Sequence, residues 1–423
     1  LVLVVPTLLG AVAISDSVYE RAWRTPKGLD GRITVLFLVV VVFLVAGTVV
    51  VAMAERSRVA RPGSSWPALD GATVEVLKRV YPVLIVLALV GYGIWIGSGI
   101  ARGLRFQDVQ DVLATQDNFK LPVKEKLETL PGLTTLTQVA IPAVVIGIVL
   151  DARRPTRWIR WGYRLLIVLA AVRAFLLAER LAVAEILVPV IVVRAALAAR
   201  RATRRGRALV ALAPVFGVAL LLVGFAVSEY SRSWNWYSDR TDRSFVDFAS
   251  ERLLGYYATS HNNGALLLEH GEIVGAVPYY TTSFVWEVPP GSQLGGEVAD
   301  DVGDERRRVL HGFGNPEFNS PGGLASILTD YGVVGGAAFA FGLGLVVGSL
   351  HLGFLHGRLV GLLVYPVIYT GLLELPRYLY WFQGRALPAL VIPVAVAMVL
   401  SVRRRRSARH QALRATMAAG ARA

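Results

Sequence analysis

Runs of Val, Leu, Ala, Ile and Gly alternate with polar loops along this chain. A membrane-spanning helix needs about 20 mostly apolar residues. The pattern predicts ten spans, at roughly 1–14, 33–53, 80–100, 134–150, 161–178, 180–197, 208–229, 323–349, 358–375 and 385–402. The hairpin over 161–197 is short and interrupted by charge, so a re-entrant pair is the alternative to two full spans. Either version returns the chain to the same side. Leu1 already lies in an apolar run, so the first span is expected to be truncated, with or without earlier helices before it. The expected fold is an all-α polytopic integral membrane protein in four parts. These are an N-terminal bundle (1–229), an extracytoplasmic loop domain (230–322), C-terminal helices (323–402) and a basic cytoplasmic tail (403–423).

Composition agrees. Of 423 residues, 54% are hydrophobic and 17% charged, against about 25% charged in soluble proteins, and the mean hydropathy is +0.53. The absence of cysteine excludes disulfides, thiolate nucleophiles and Cys-ligated metals. The formal charge of +14 would suit nucleic acid, but its placement points to topology instead. Loops alternating from a cytoplasmic start fall into two groups. The inner group (54–79, 151–164, 194–207, 350–358 and 403–423) holds 24 Lys and Arg against 4 Asp and Glu. The outer group (15–32, 101–133, 230–322 and 375–385) holds 18 against 21. Basic residues gather on the cytoplasmic side of membrane proteins, so both termini are expected inside and no nucleic-acid partner is expected. Arg far exceeds Lys, 39 to 5, beside abundant Ala, Val and Gly, which points to a GC-rich bacterial genome.

Two outer loops are long enough to carry function. Residues 106–113 and 123–130 read as amphipathic helices on the bilayer surface, with Val123, Leu127 and Leu130 at helical spacing. The stretch 230–322 opens on an aromatic segment (231–237). A helix is predicted from about 243, with Asp242 as N-cap and Phe245, Phe248, Leu253, Tyr256 and Tyr257 along it. SerHisAsnAsnGly (260–264) reads as the loop that follows, and Asp300 to Glu305 as a solvated loop tip neutralised by Arg306 to Arg308.

Charge inside the apolar runs is the main chemical signal: Arg173, Glu179, Arg180, Glu185, Glu229, Asp330 and Glu374. Charge in hydrocarbon is costly and is usually kept for function. Arg173 and Arg180, seven residues apart, would share a face of one continuous helix, about 20° apart. Two guanidiniums at the outer leaflet suit a diphosphate, and pairing with the nearby carboxylates is the structural alternative. Asp330 is read either as a partner for arginine or as a catalytic group, and Gly332/Gly336 and Gly344/Gly348 as small-xxx-small packing pairs. His261, Glu287 and Glu317 are rival general bases. Tyr256, Asn262, Asn263 and Tyr378 offer donors and stacking surface for a glycan, and Arg377 lies at the outer interface beside Tyr378 as a further diphosphate ligand. The sequence holds no P-loop, nucleophile elbow, HExxH or EF-hand loop, so energy is expected from an activated substrate, without a cofactor or metal.

ThrAspTyrGlyValValGlyGly (329–336), AlaGluArgLeuAla (178–182) and the large outer loop before the last spans resemble Wzy-type oligosaccharide repeat-unit polymerases of the O-antigen polymerase/ligase group. The resemblance covers most of the chain in layout and rests on few residues. It implies transfer of a glycan from a polyprenyl diphosphate carrier to another lipid-linked unit at the outer face, with a flippase and a chain-length regulator as partners. A ligase acting on a different acceptor, and a transporter or flippase of a glycolipid or anionic substrate, are the alternatives.

Overall fold

The computed structural model describes residues 3–56, 66–113, 120–130, 132–177, 179–201, 206, 213–230, 234–238, 240, 242–271, 278–286, 291–315, 317–400 and 402. Among them all regular structure is helical. In chain order the helices are α1 (Val4–Ala13), α2 (Asp16–Trp23), α3 (Gly31–Arg56), α4 (Gly71–Ala101), α5 (Phe106–Leu113), α6 (Lys120–Lys126), α7 (Ala140–Arg153), α8 (Arg157–Leu177), α9 (Arg180–Arg201), α10 (Ala213–Glu229), α11 (Phe245–His270), α12 (Gly291–Phe313), α13 (Gly323–Leu355), α14 (Leu359–Glu374) and α15 (Gly384–Leu400). A 3-10 segment, Thr134–Val139, leads into α7.

The described residues of each of the ten predicted apolar runs are mostly helical. Five segments are long and apolar enough to cross a membrane: Gly31–Glu55, Gly71–Ala101, Thr134–Arg153, Leu181–Arg200 and Gly323–Leu355. The apolar helices α1, α14 and α15 are shorter, and α8 is long but carries Arg157, Arg160, Arg164 and Arg173. Val35 and Val42 on α3, and Val83, Val86 and Val90 on α4, stay exposed, as lipid-facing side chains do. The chain is an α-helical membrane protein.

Two apolar cores hold the bundle together. One is centred on α7, buried along nearly its whole length, with α4, α8, α9, α14 and α15 around it. The other joins α1, α2, α3, α11 and α13. The tightest seam in the second core is the crossing of α3 and α13. A Cβ on Gly344 would lie 2.2 Å from the Leu44 carbonyl oxygen, and one on Gly47 would lie 2.2 Å from that of Phe341. Gly344 and Gly348 therefore pack as expected, backbone against backbone. Gly332 does not: nothing lies near its absent Cβ, and it is needed for its φ of +64°, where α13 kinks.

Three expectations need correction. First, α11 runs unbroken through 260–264, so His261, Asn262 and Asn263 are helical and buried rather than in an exposed loop. Its N-cap is Ser244, whose hydroxyl accepts from the Asp247 N–H, and not Asp242. Second, Asp300 to Arg308 lie within α12, where Asp304 pairs with Arg307 and Glu305 with Arg308. Third, Val123 and Leu127 are fully buried, and the Trp95 indole donates to the Leu127 carbonyl at 3.0 Å. The apolar face of that segment is thus covered by the bundle instead of lying on lipid.

Candidate functional site: a charged layer where two cores meet

The link from α14 to α15 runs along the boundary of the two cores. Leu375 and Leu379 belong to one core, Tyr380 and Trp381 to the other. Two features fix this link. The Trp381 indole donates to the Ile368 carbonyl at 3.0 Å and lies where a side chain at Gly371 would stand. Gly322, at φ +76°, donates its N–H to the Arg377 carbonyl at 2.9 Å. The start of α13 is therefore docked onto the turn that carries Arg377.

Two groups of charge flank this link. In the first, Arg173 near the end of α8 donates Nη1 to Thr137 Oγ1 at 2.9 Å. Its guanidinium lies 5.9 Å from the Trp95 ring centroid, and Nη2 is 3.7 Å from Glu179 Oε2. Arg385, at the start of α15, sets Nε 2.8 Å from Glu185 Oε1 and donates Nη2 to Glu185 Oε2 at 2.8 Å. It too lies 3.7 Å from Glu179. Gln138 completes the group with a 3.4 Å bond to Glu185. A small cavity lined by Thr137, Gln138, Arg173 and Glu185 opens beside them. Arg173 and Glu185 are 7% and 2% exposed, so their charges depend on Glu179 and Arg385 rather than on water.

In the second group, Arg377 donates Nη1 to Glu374 Oε2 at 3.0 Å. Its guanidinium lies 5.0 Å from the Tyr256 ring and 5.3 Å from the Tyr378 ring. Tyr378 sits within electrostatic reach of Glu374, Arg377, Arg385 and Glu185. The Nε atoms of Arg173 and Arg377 are buried with no hydrogen-bond partner among the described residues. The layer thus keeps donors to spare. Asp151, Arg160, Tyr163 and Arg194 form a separate network at the other end of α7, α8 and α9.

Further along α11, Arg252 pairs with the fully buried Glu229 at 3.3 Å and with Glu317. The Tyr237 hydroxyl donates to Glu317 Oε1 at 3.1 Å. Burial and the Glu317 charge raise the Tyr237 pKa, which keeps that proton in place. The Glu317 side chain is 50% exposed. Its neighbour Phe318 packs on Tyr256, ring centroids 5.3 Å apart. The chain of contacts Glu317–Phe318–Tyr256–Arg377 therefore joins an accessible carboxylate to the charged layer.

The remaining candidates are used internally. Asn262 accepts from the N–H groups of Gly28 (2.8 Å) and Leu29 (3.1 Å) and donates to the Pro26 carbonyl. Asn263 donates to the carbonyls of Phe318 and Ser320. Both amides therefore fasten loops instead of facing a glycan. His261 is 1% exposed, its Nε2 3.2 Å from Thr7 Oγ1, and burial pushes its pKa down to about 4. Among the described residues Asp330 meets no arginine: it accepts from Tyr280 N at 3.1 Å and from Thr281 N and Oγ1 at 2.7 Å each. Glu287, the Arg180 side chain, Ala178 and residues 403–423 lie outside the described residues.

Arg385 and Arg252 were not singled out in the sequence. Arg385 sits in a short interface loop, where a lone arginine reads as ordinary. The signal for it was the surplus of carboxylates, Glu179 and Glu185, on the facing hairpin. Among the described residues no group of three or more His, Asp or Glu is placed to hold a metal ion. No family model, curated protein or solved structure matches this chain.

Proposed function

We propose that this chain is a membrane glycosyltransferase that extends a polyprenyl-diphosphate-linked oligosaccharide at the outer face of a bacterial plasma membrane. The observation that carries the reading is the pair Arg173 and Arg385 on either flank of Glu179, with Arg377 on the same α14–α15 link as Arg385 and buried donors left over. An acceptor sugar hydroxyl attacks the anomeric carbon of the donor glycan. The bond from that carbon to the diphosphate oxygen breaks, and polyprenyl diphosphate leaves with the electron pair. Fixed positive charge beside the leaving group lowers the barrier as that bond breaks. Guanidiniums suit the task because they stay charged and offer forked donors to phosphate oxygens.

The hydroxyl proton needs an acceptor. Glu317 is the best-placed of the described candidates, being accessible and linked to Arg377 through Phe318 and Tyr256. His261 is buried away from any incoming hydroxyl. Tyr256 and Tyr378, both beside Arg377, offer aromatic surface to the sugar nearest the diphosphate.

The test is transfer in vesicles holding the purified chain and lipid-linked oligosaccharide extracted from the producing cells. Lengthened glycan together with free polyprenyl diphosphate is the expected result, with rates about 10²-fold or more lower for Arg173→Ala and Arg385→Ala. Unchanged glycan length with the wild-type chain would overturn the reading. Uptake of the lipid across the bilayer without transfer would support a transporter instead.

A further inference from the structure

Arg173 and Arg385 are compensated in different ways. Arg385 meets Glu185 through two contacts of 2.8 Å, and Glu185 is 2% exposed. That carboxylate is a fixed part of the wall. Arg173 has a hydrogen bond to a neutral hydroxyl, that of Thr137, and its ion-pair contact with Glu179 is longer, at 3.7 Å. One atom stands between the two guanidiniums: Glu179 Oε2, 3.7 Å from Nη2 of each. It is buried and hydrogen-bonded to neither.

An anion that fitted this position would make charge-assisted bonds of about 2.7–2.9 Å. Glu179 supplies charge there without supplying those bonds. It also hangs from the non-helical link between α8 and α9, and its side chain is 28% exposed, far more than that of Glu185. The four charges of Arg173, Arg385, Glu179 and Glu185 sum to zero. With Glu179 turned outward the group carries one uncompensated positive charge, a costly state away from water. A ligand with negative oxygens between the guanidiniums would remove that cost.

We propose that Glu179 is an internal counter-ion that holds the anion position between Arg173 and Arg385 until the diphosphate of a substrate displaces it. The inference rests on reading this layer as the diphosphate site and adds how that site is kept neutral when empty. Return of Glu179 then competes with the released diphosphate and helps to clear the site for the next carrier.

The test is equilibrium binding to the full chain in nanodiscs of zwitterionic lipid, with polyprenyl diphosphate and inorganic diphosphate as separate probes. The proteins are wild type, Glu179→Gln, Glu185→Gln and Arg173→Gln. Glu179→Gln is near-isosteric and sits on a partly exposed link, so folding is retained. It is expected to bind diphosphate about tenfold more tightly, because the competing charge is gone. Glu185→Gln frees Arg385 from its support and is expected to weaken binding. Tightening for both probes assigns the position to the diphosphate group itself; tightening for the polyprenyl form alone assigns it to the membrane carrier. Unchanged or weaker binding by Glu179→Gln, with loss of binding in Arg173→Gln, overturns the displacement and leaves the site reading standing. Full binding by Arg173→Gln removes the site reading and the displacement together.

Discussion

Thr281 donates both its backbone N–H and its hydroxyl to Asp330 Oδ2, each at 2.7 Å. With Tyr280 N on Oδ1 at 3.1 Å, the carboxylate anchors the segment 278–286 just before the kink of α13 at Gly332. Asp330→Ala is therefore expected to lower stability by about 2–4 kcal/mol, the cost of leaving buried donors unpaired. Asp330→Asn, which keeps an acceptor, should cost less. Thermal unfolding in detergent measures both. A purely catalytic aspartate would give the opposite pattern, with normal melting and lost turnover in both variants.

His261 makes stability depend on pH. Its folded-state pKa, pushed down to about 4 by burial, lies below the value of about 6.5 expected in the unfolded chain. The unfolded state therefore binds the proton first as pH falls. The stabilisation is complete above about pH 6.5 and is lost as pH drops towards 4, with a total of about 3 kcal/mol. Unfolding temperatures of the wild type and His261→Gln between pH 7 and 4 should diverge across this window, with the variant flatter. Parallel curves would contradict the assignment.

The α3–α13 crossing leaves no room for a methyl group. Gly344→Ala must move the Leu44 carbonyl and is expected to destabilise by about 1–3 kcal/mol. At Gly342, where nothing lies within 4 Å, alanine should be neutral or stabilising by up to about 1 kcal/mol. Paired melting curves of the two variants separate close backbone contact from general helix propensity.

Glu317 and His261 answer differently as proton acceptors. Glu317→Gln keeps an acceptor for Tyr237 and should fold, yet lower the initial rate of glycan elongation by about 10²–10⁴-fold. His261→Gln, at a site sealed against Thr7, should elongate at near the wild-type rate at pH 7. The reverse result would move the base to His261.

The helices were legible in the sequence because apolar runs in a membrane protein are set by the bilayer. The hairpin with Arg173, Glu179 and Glu185 was legible for the same reason: charge there stands out against hydrocarbon. Partners were less so. The expected pairing of Arg173 with Arg180 involves a side chain outside the described residues; the described guanidinium opposite Arg173 across Glu179 is that of Arg385, about two hundred residues along the chain. Helical spacing reports only neighbours on one helix, and the meeting of Arg173 and Arg385 through Glu179 leaves no periodic trace. SerHisAsnAsnGly reads as a loop because Asn and Gly are poor helix formers. The bonds from Asn262 to the 26–29 loop and from Asn263 to the 318–320 loop override that local preference. Those bonds also take both asparagines out of reach of solvent.

An electron cryomicroscopy map of the chain in a nanodisc with polyprenyl diphosphate bears most directly on the account. Density for the two phosphate groups is expected between Arg173 and Arg385, with Arg377 beside them and Glu179 turned outward. Phosphate density at the opposite end of α7, α8 and α9, near Arg160 and Arg194, would contradict it.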